Sequence, residues 1–202
     1  MRLGLFGGSF DPVHYGHLLL AECCREQCRL DRVWFVPAAV APHKRDQAVS
    51  TPDQRVEMLK LAIAGHPGFE VSDIELQRGG VSYTVDTLRS VAAEQPAAEL
   101  FLLMGADTLA DLVNWHQPDE VCRLASPVAV ARADEPPPDY DLLAKLVDAE
   151  RLAKFRELLV SMPQIELSSR ELRARVAAGG SIRYRTPRAV EKFIEAEGLY
   201  CD

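Results

Sequence analysis

No stretch of the 202 residues approaches the ~20 consecutive apolar residues needed to span a bilayer, so a transmembrane reading has no support. A basic segment followed by an apolar core and a cleavage site is also missing. The chain runs from Met1 straight into the strand-like RLGLF (2–6), which predicts a cytoplasmic protein. There is no Cys-x-x-Cys pair, and the cysteines are odd in number: Cys23, Cys24, Cys28, Cys122 and Cys201. Cys24 and Cys28 stand four apart on a predicted helix, but no cluster of His or carboxylate completes a zinc set. Ordinary reduced thiols and no protein-held metal are expected. An excess of basic residues is lacking as well. The formal net charge of −7 argues against nucleic acid or an anionic membrane as partner. What remains, 48% hydrophobic and 26% charged, is enough for one domain around a sizeable core.

Strand-like and helix-like stretches alternate. RLGLF (2–6), RVWFVP (32–37), FEVSDIEL (69–76, a strand and its exit), ELFLLMG (99–105), PVAVAR (127–132) and PQIEL (163–167) read as strands. RVWFVP is nearly all apolar, as buried parallel strands are. Helices are predicted over 13–30, 51–65, 84–95, 106–115, 141–160, 168–180 and 186–198, with a further turn at PDEVCRLA. Thr51 is expected as an N-cap with Pro52 behind it and Gly65 as the stop, and Thr84 as the cap of 84–95. AAVAPHKRDQAVS (38–50) and ADEPPPDYD (133–141) read as loops. This alternation predicts an α/β fold, a parallel sheet with helices on both faces in a single domain. Such sheets bind ligands at the carboxyl ends of their strands, where strand order reverses. The strand exits GGSFDPVHYGH, AAVAPHK, RGGVSYT, GADT and SSRELR should therefore converge on one crevice.

The first exit carries the most chemistry. Gly7 and Gly8 are expected to form a turn that lets backbone approach a ligand closely. His14 and His17 are three apart at a helix start and so share a face. Free N–H groups and the helix dipole favour anions there. Two imidazoles at a positive helix end make a phosphate site. Gly16 between them removes a side chain where something must fit tightly. The pattern is neither Gly-x4-Gly-Lys-Ser/Thr nor Gly-x-Gly-x-x-Gly, which weakens kinase, GTPase and dehydrogenase readings.

GGSFDPVHYGH resembles the first motif of the nucleotidyltransferases marked by His-x-Gly-His. PHK (42–44), RVEMLKLA (55–62), SYTVDTL (82–88), GADTLADLVNW (105–115) and LSSRELR (167–173) extend that resemblance, in order, to the bacterial nicotinate-nucleotide adenylyltransferases. Ala41 stands where the family usually has the first of two prolines, and Arg170 where it often has Thr. The resemblance implies a Rossmann-like sheet and transfer of the adenylyl group of ATP to nicotinate mononucleotide. No covalent intermediate is needed, because the attacking phosphate is ionised near neutral pH, its second pKa being about 6. It implies His14, His17, Lys44 and Arg173 as catalytic groups. Gly8, Ser9, Phe10, Gly105, Asp107, Ser168 and Ser169 join His17 and Arg173 around ATP. Lys44, Tyr83, Thr84 and Trp115 fall on the pyridine side: amides of SYT for the carboxylate, Trp115 for stacking. Mg²⁺ is expected with ATP, held mostly by phosphates and water.

Residues 133–160 are expected to form a longer helical insertion, and 168–202 helices that complete the ATP site. From Ser168 to Lys192 the chain carries seven Arg or Lys against two Glu. Of these, Arg170, Arg175, Arg183 and Arg188 read as residues of solvated faces. Glu75 and Arg78 are expected to brace the second-substrate loop, His66 to lie in a loop, and Cys23, Cys24 and Trp34 to pack in the core. Two rival readings are another adenylyl- or cytidylyltransferase, such as one using phosphopantetheine, and a nucleotide sensor without turnover. Oligomeric state is not readable from the sequence.

Overall fold

The computed structural model describes residues 1–40, 50–131 and 137–201. The elements run β1 (Arg2–Gly8), α1 (Tyr15–Gln27), β2 (Arg32–Pro37), α2 (Pro52–Ile63), β3 (Phe69–Val71), α3 (Ile74–Arg78), α4 (Thr84–Glu94), β4 (Glu99–Gly105), α5 (Ala106–Asp111), α6 (Pro118–Leu124), β5 (Ser126–Ala131), α7 (Ala149–Arg156), β6 (Val160–Ser161), α8 (Ser169–Ala177) and α9 (Arg188–Glu197). All strand pairs are parallel, in the order β3-β2-β1-β4-β5-β6. The chain winds outward from β1 in one direction and from β4 in the other. The switch point lies between those two strands, and their carboxyl ends open the crevice.

Period-two alternation sends successive side chains to opposite faces. Along β4, Phe101 and Leu103 enter one core with Phe6, Val33 and Phe35, while Leu100, Leu102 and Met104 enter the other with Leu3 and Leu5. Helices α1, α2, α8 and α9 close the first core through residues such as Cys24, Met58, Leu172 and Ile194. Helices α4 to α7 close the second through Leu88, Leu109, Val121 and Phe155. This is the Rossmann-like doubly wound α/β domain that the alternation predicts. Among the described residues, no helix is long and apolar enough to cross a membrane. All five cysteines are free, and burial raises the Cys24 and Cys28 thiols and pushes Cys122 up to about 11. Cys24 is buried in the first core with Cys23 half-buried against it, and Trp34 is half-buried against the second.

Several local expectations need correction. The 141–160 stretch is not one helix. A single 3-10 turn at Tyr140–Leu143 is followed by a break, and α7 starts only where Asp148 accepts a hydrogen bond from the Arg151 amide at 2.8 Å. The buried Tyr140 hydroxyl accepts from the Ala129 amide at 2.9 Å, which pins that turn to β5. The last strand is Val160–Ser161 beside β5, and residues 163–167 pair with no strand among the described residues. Thr84 is the first residue of α4, with Tyr83 as its N-cap. Thr51 caps α2 as expected: its hydroxyl oxygen accepts from the Gln54 amide at 3.3 Å, and the Gln54 side-chain oxygen accepts from the Thr51 amide at 3.0 Å.

Candidate active site

Gly7 and Gly8 do not form the turn. They continue β1 in register with Val36 and Pro37 of β2. Gly8 is required for space: a Cβ there would stand 2.9 Å from the Phe10 ring. The left-handed residue is Phe10 itself, with φ of 48°. That conformation is costly for an aromatic residue. Burial of its ring among Phe6 and Phe35, edge-on to His17 at 5.1 Å, holds it there.

The turn from Ser9 to His14 is fastened by its carbonyls. Arg55 donates to Ser9 O at 3.0 Å and to Ala38 O at 2.8 Å, tying the exits of β1 and β2 together. Arg173 donates to Asp11 O at 2.7 Å, Ser169 to Pro12 O at 2.8 Å and Thr186 to Val13 O at 2.8 Å. In a planar trans peptide the next N–H points opposite to the carbonyl. Fastening the oxygens of Ser9, Pro12 and Val13 to the scaffold thus turns the amides of Phe10, Val13 and His14 away from it.

His14 is the N-cap of α1 and its backbone amide donates to His17 Nδ1 at 3.2 Å. Because Nδ1 accepts, the neutral His17 ring carries its proton on Nε2. The two rings stack, 3.7 Å between centroids and 21° between planes. His14 is buried and its pKa falls from 6.5 to about 4 through desolvation, so it is a neutral imidazole at neutral pH. Its Nδ1 has no hydrogen-bond partner among the described residues. What fits tightly at Gly16 is the His14 ring itself: a Cβ there would come within 3.0 Å of Nδ1.

These histidines line a cavity of about 490 Å³ with Ser9, Gly105, Ser168, Ser169 and Arg173. The Ser169 hydroxyl donates to Pro12 O at 2.8 Å, whereas Ser168 accepts from the Glu171 amide at 3.2 Å and keeps its O–H to donate. The start of α8 thus offers the cavity the Ser168 hydroxyl, backbone N–H groups and the Arg173 guanidinium. Arg170 is exposed, as its reading on a solvated face expects, and also lines this cavity. Its neighbours behave as read: Arg175 binds Ser181 O, Arg188 pairs with Glu191, and Arg183 lies over the Tyr184 ring.

A second cavity of about 300 Å³ adjoins the first and shares Ser9 and Gly105 with it. Gly8, Ser82, Thr84, Thr87, Glu75 and Trp115 line it. Of the SYT amides, Ser82 and Tyr83 already donate to Val40 O and Val81 O, at 2.9 and 3.1 Å. Those of Thr84 and Val85 belong to the first turn of α4, where N–H groups have no intrahelical acceptor. Tyr83 packs on His116 instead of lining the cavity. Half-buried Trp115 donates to Asp111 at 3.3 Å. At the floor, the Thr87 hydroxyl donates to buried Glu75 at 2.6 Å and accepts from Arg78 at 3.1 Å. Asp107 is exposed on the first turn of α5 and lines neither cavity. His66 stacks on Phe69 and pairs with Glu22 at 3.1 Å. Lys44 lies outside the described residues.

Sequence reasoning missed Asp11, Arg55, Thr186 and Tyr200, the groups behind the site. Arg55 stood in the RVEMLKLA stretch, but nothing local marks a buried arginine.

Residues 5–175 match the model of the Cytidylyltransferase-like family. A Thermus thermophilus protein named "Probable nicotinate-nucleotide adenylyltransferase" is 46% identical over 99% of this chain and 100% of its own length. Proteins of the same name from Roseiflexus and Rhodopirellula baltica are 45% and 41% identical over 98% of this chain, covering 97% and 92% of theirs. Among solved structures, Plasmodium falciparum nicotinic acid mononucleotide adenylyltransferase complexed with NaAD superposes with a TM-score of 0.76 at 18% identity, covering 98% of this chain and 97% of that one, a likeness of fold. The chain belongs to the cytidylyltransferase-like family and, within it, to the nicotinate-nucleotide adenylyltransferases.

Proposed function

We propose that this protein transfers the adenylyl group of ATP to nicotinate mononucleotide, forming nicotinate adenine dinucleotide and pyrophosphate, a step of NAD biosynthesis. The observation that carries the reading is the meeting of two cavities at Ser9 and Gly105, one rimmed by imidazoles, an arginine and a helix start, the other by Trp115 and the first turn of α4. A phosphate oxygen of the mononucleotide attacks the α-phosphorus of ATP. The bond from that phosphorus to the β-phosphate bridging oxygen breaks, and pyrophosphate leaves with the electron pair. No side-chain nucleophile is needed, so the chain's task is to hold two anions in line and stabilise the charge that develops.

His17, through Nε2–H, and neutral His14 donate to the ATP phosphates. Arg173, the Ser169 and Arg170 amides of the first turn of α8 and the Phe10 and Val13 amides share that charge, and Lys44 adds a cation. Gly8, Ser9 and Phe10 contribute backbone, and Gly105 stands where the ATP side meets the acceptor side. The Thr84 and Val85 amides suit the nicotinate carboxylate, and Trp115 the pyridine face. Mg²⁺ is read as arriving with ATP, held mostly by phosphate and water.

Pyrophosphate release from ATP and Mg²⁺, with nicotinate mononucleotide, nicotinamide mononucleotide and phosphopantetheine in parallel, tests the reading. Release with the first well above the other two supports it. Release only with phosphopantetheine overturns the acceptor. ATP binding without release overturns the enzyme reading in favour of a sensor.

A further inference from the structure

The turn that carries the phosphate-side groups is also fastened through a side chain, from the far end of the sequence. Asp11, 5% exposed, receives the Tyr200 hydroxyl at 2.6 Å on Oδ1 and the Ser50 amide at 3.3 Å on Oδ2. The Ser50 hydroxyl donates to the Tyr200 oxygen at 2.8 Å, which closes a ring of three residues. Tyr200 follows α9 in left-handed backbone, φ of 64°, after Gly198 in the same region at 61°. A tyrosine is strained there, and the strain is held only where surrounding contacts determine it. The Tyr200 ring packs against the core beside α2 and α9, with its oxygen 3.9 Å from Met58 Sδ. Arg55 and Arg173 are near enough to feel this cluster electrostatically.

Each leg of the ring leads somewhere functional. The backbone carbonyl of Asp11 is the anchor of Arg173. Three residues on stands His14, whose ring packs so close over Gly16 that a Cβ there would stand 3.0 Å from its Nδ1. Ser50 leads into the Thr51 cap of α2, the helix that carries Arg55 and thereby the exits of β1 and β2. We propose that Tyr200 is a positioning residue for the phosphate-side cavity: its hydroxyl, clasping Asp11 to Ser50, sets the turn that carries His14 and whose Asp11 carbonyl anchors Arg173. This rests on the adenylyl-transfer reading for the identity of the ligand.

Tyr200→Phe keeps the ring and removes the clasp. With wild-type protein as control, kcat/KM for ATP is expected to fall at least about tenfold, while KM for nicotinate mononucleotide changes less than about twofold. The loss is expected to shrink in an Asp11→Ala background, since both substitutions cut the same link. Unchanged kinetics with lowered stability, an equal loss toward both substrates, or full additivity with Asp11→Ala would each overturn the proposal. If Tyr200→Phe does not fold, Ser50→Ala removes the other hydroxyl. A loss on ATP alone then supports the clasp, and no loss overturns it. If the wild-type protein gives no turnover with nicotinate mononucleotide, the acceptor reading has failed. Equilibrium dialysis of ATP still decides the clasp: about tenfold weaker binding by Tyr200→Phe supports it and equal binding overturns it.

Discussion

At the scale of residues, the stacked histidines divide one task. His17 has its tautomer set by the His14 amide, and His14 is kept neutral by burial. Removing a preorganised donor from a site of developing charge typically costs ~3–4 kcal/mol. His17→Ala is accordingly expected to lower turnover by about two orders of magnitude or more, measured as pyrophosphate release, with the fold checked by circular dichroism. Near-normal turnover would remove His17 from the phosphate site. His14 adds a pH signature. Its folded pKa of about 4 lies below the unfolded 6.5, so between those values the unfolded chain binds more protons. Its contribution is therefore complete above pH 6.5 and is lost as pH falls toward 4, up to about 3 kcal/mol. In urea unfolding at pH 7.5 and pH 5, the wild-type protein is expected to lose more stability than His14→Asn. Equal slopes would mean that His14 is not held neutral.

At the scale of elements, the site depends on how strand exits are fastened by helices distant in sequence. Thr186 is 1% exposed and its hydroxyl holds Val13 O, 173 positions away. Thr186→Val keeps the shape and leaves a buried carbonyl without its donor, an expected loss of about 1–3 kcal/mol read from the urea midpoint. A change within experimental error would show that another donor replaces it. Long-range fastening of this kind is also where sequence reading stops. Strands β1, β2 and β4 are legible because buried parallel strands are apolar runs, and α2 and α8 because Thr51 and Ser168 announce them. The 141–160 stretch misleads because its leucines satisfy a helical period, while Asp148 restarts the helix and Tyr140 reaches β5. Ile165 alternates with Leu167 as in a strand, yet both line the phosphate-side cavity. In the site, His14, Gly16 and His17 were legible from spacing, and Trp115, Thr84 and Arg173 from resemblance. Asp11 and Tyr200, 189 positions apart, were not, since neither has a local pattern.

At the scale of the whole molecule, function follows from the switch point. Only between β1 and β4 do the two halves of the sheet diverge, and there the two cavities share Ser9 and Gly105. The acceptor side is tested by Trp115→Ala. Loss of a stacking platform is worth roughly 1–3 kcal/mol, so KM for the pyridine nucleotide is expected to rise about tenfold or more with KM for ATP little changed. An effect confined to ATP would place Trp115 elsewhere. The junction itself is tested by Gly105→Ala. Gly105 has φ of −78°, open to any residue, and a Cβ there meets no atom within 4 Å. The backbone thus accepts alanine, and exchanging the α5 N-cap costs under about 1 kcal/mol. The added methyl enters the space where the two substrates must meet in line. A misplacement near 1 Å in such a geometry can cost about a hundredfold. Gly105→Ala is therefore expected to fold with near-native thermal stability while kcat falls at least about tenfold with both substrates saturating. A fully active Gly105→Ala enzyme would mean that the cavities do not act as one site across the switch point, and that the reacting phosphates meet away from the carboxyl end of β4.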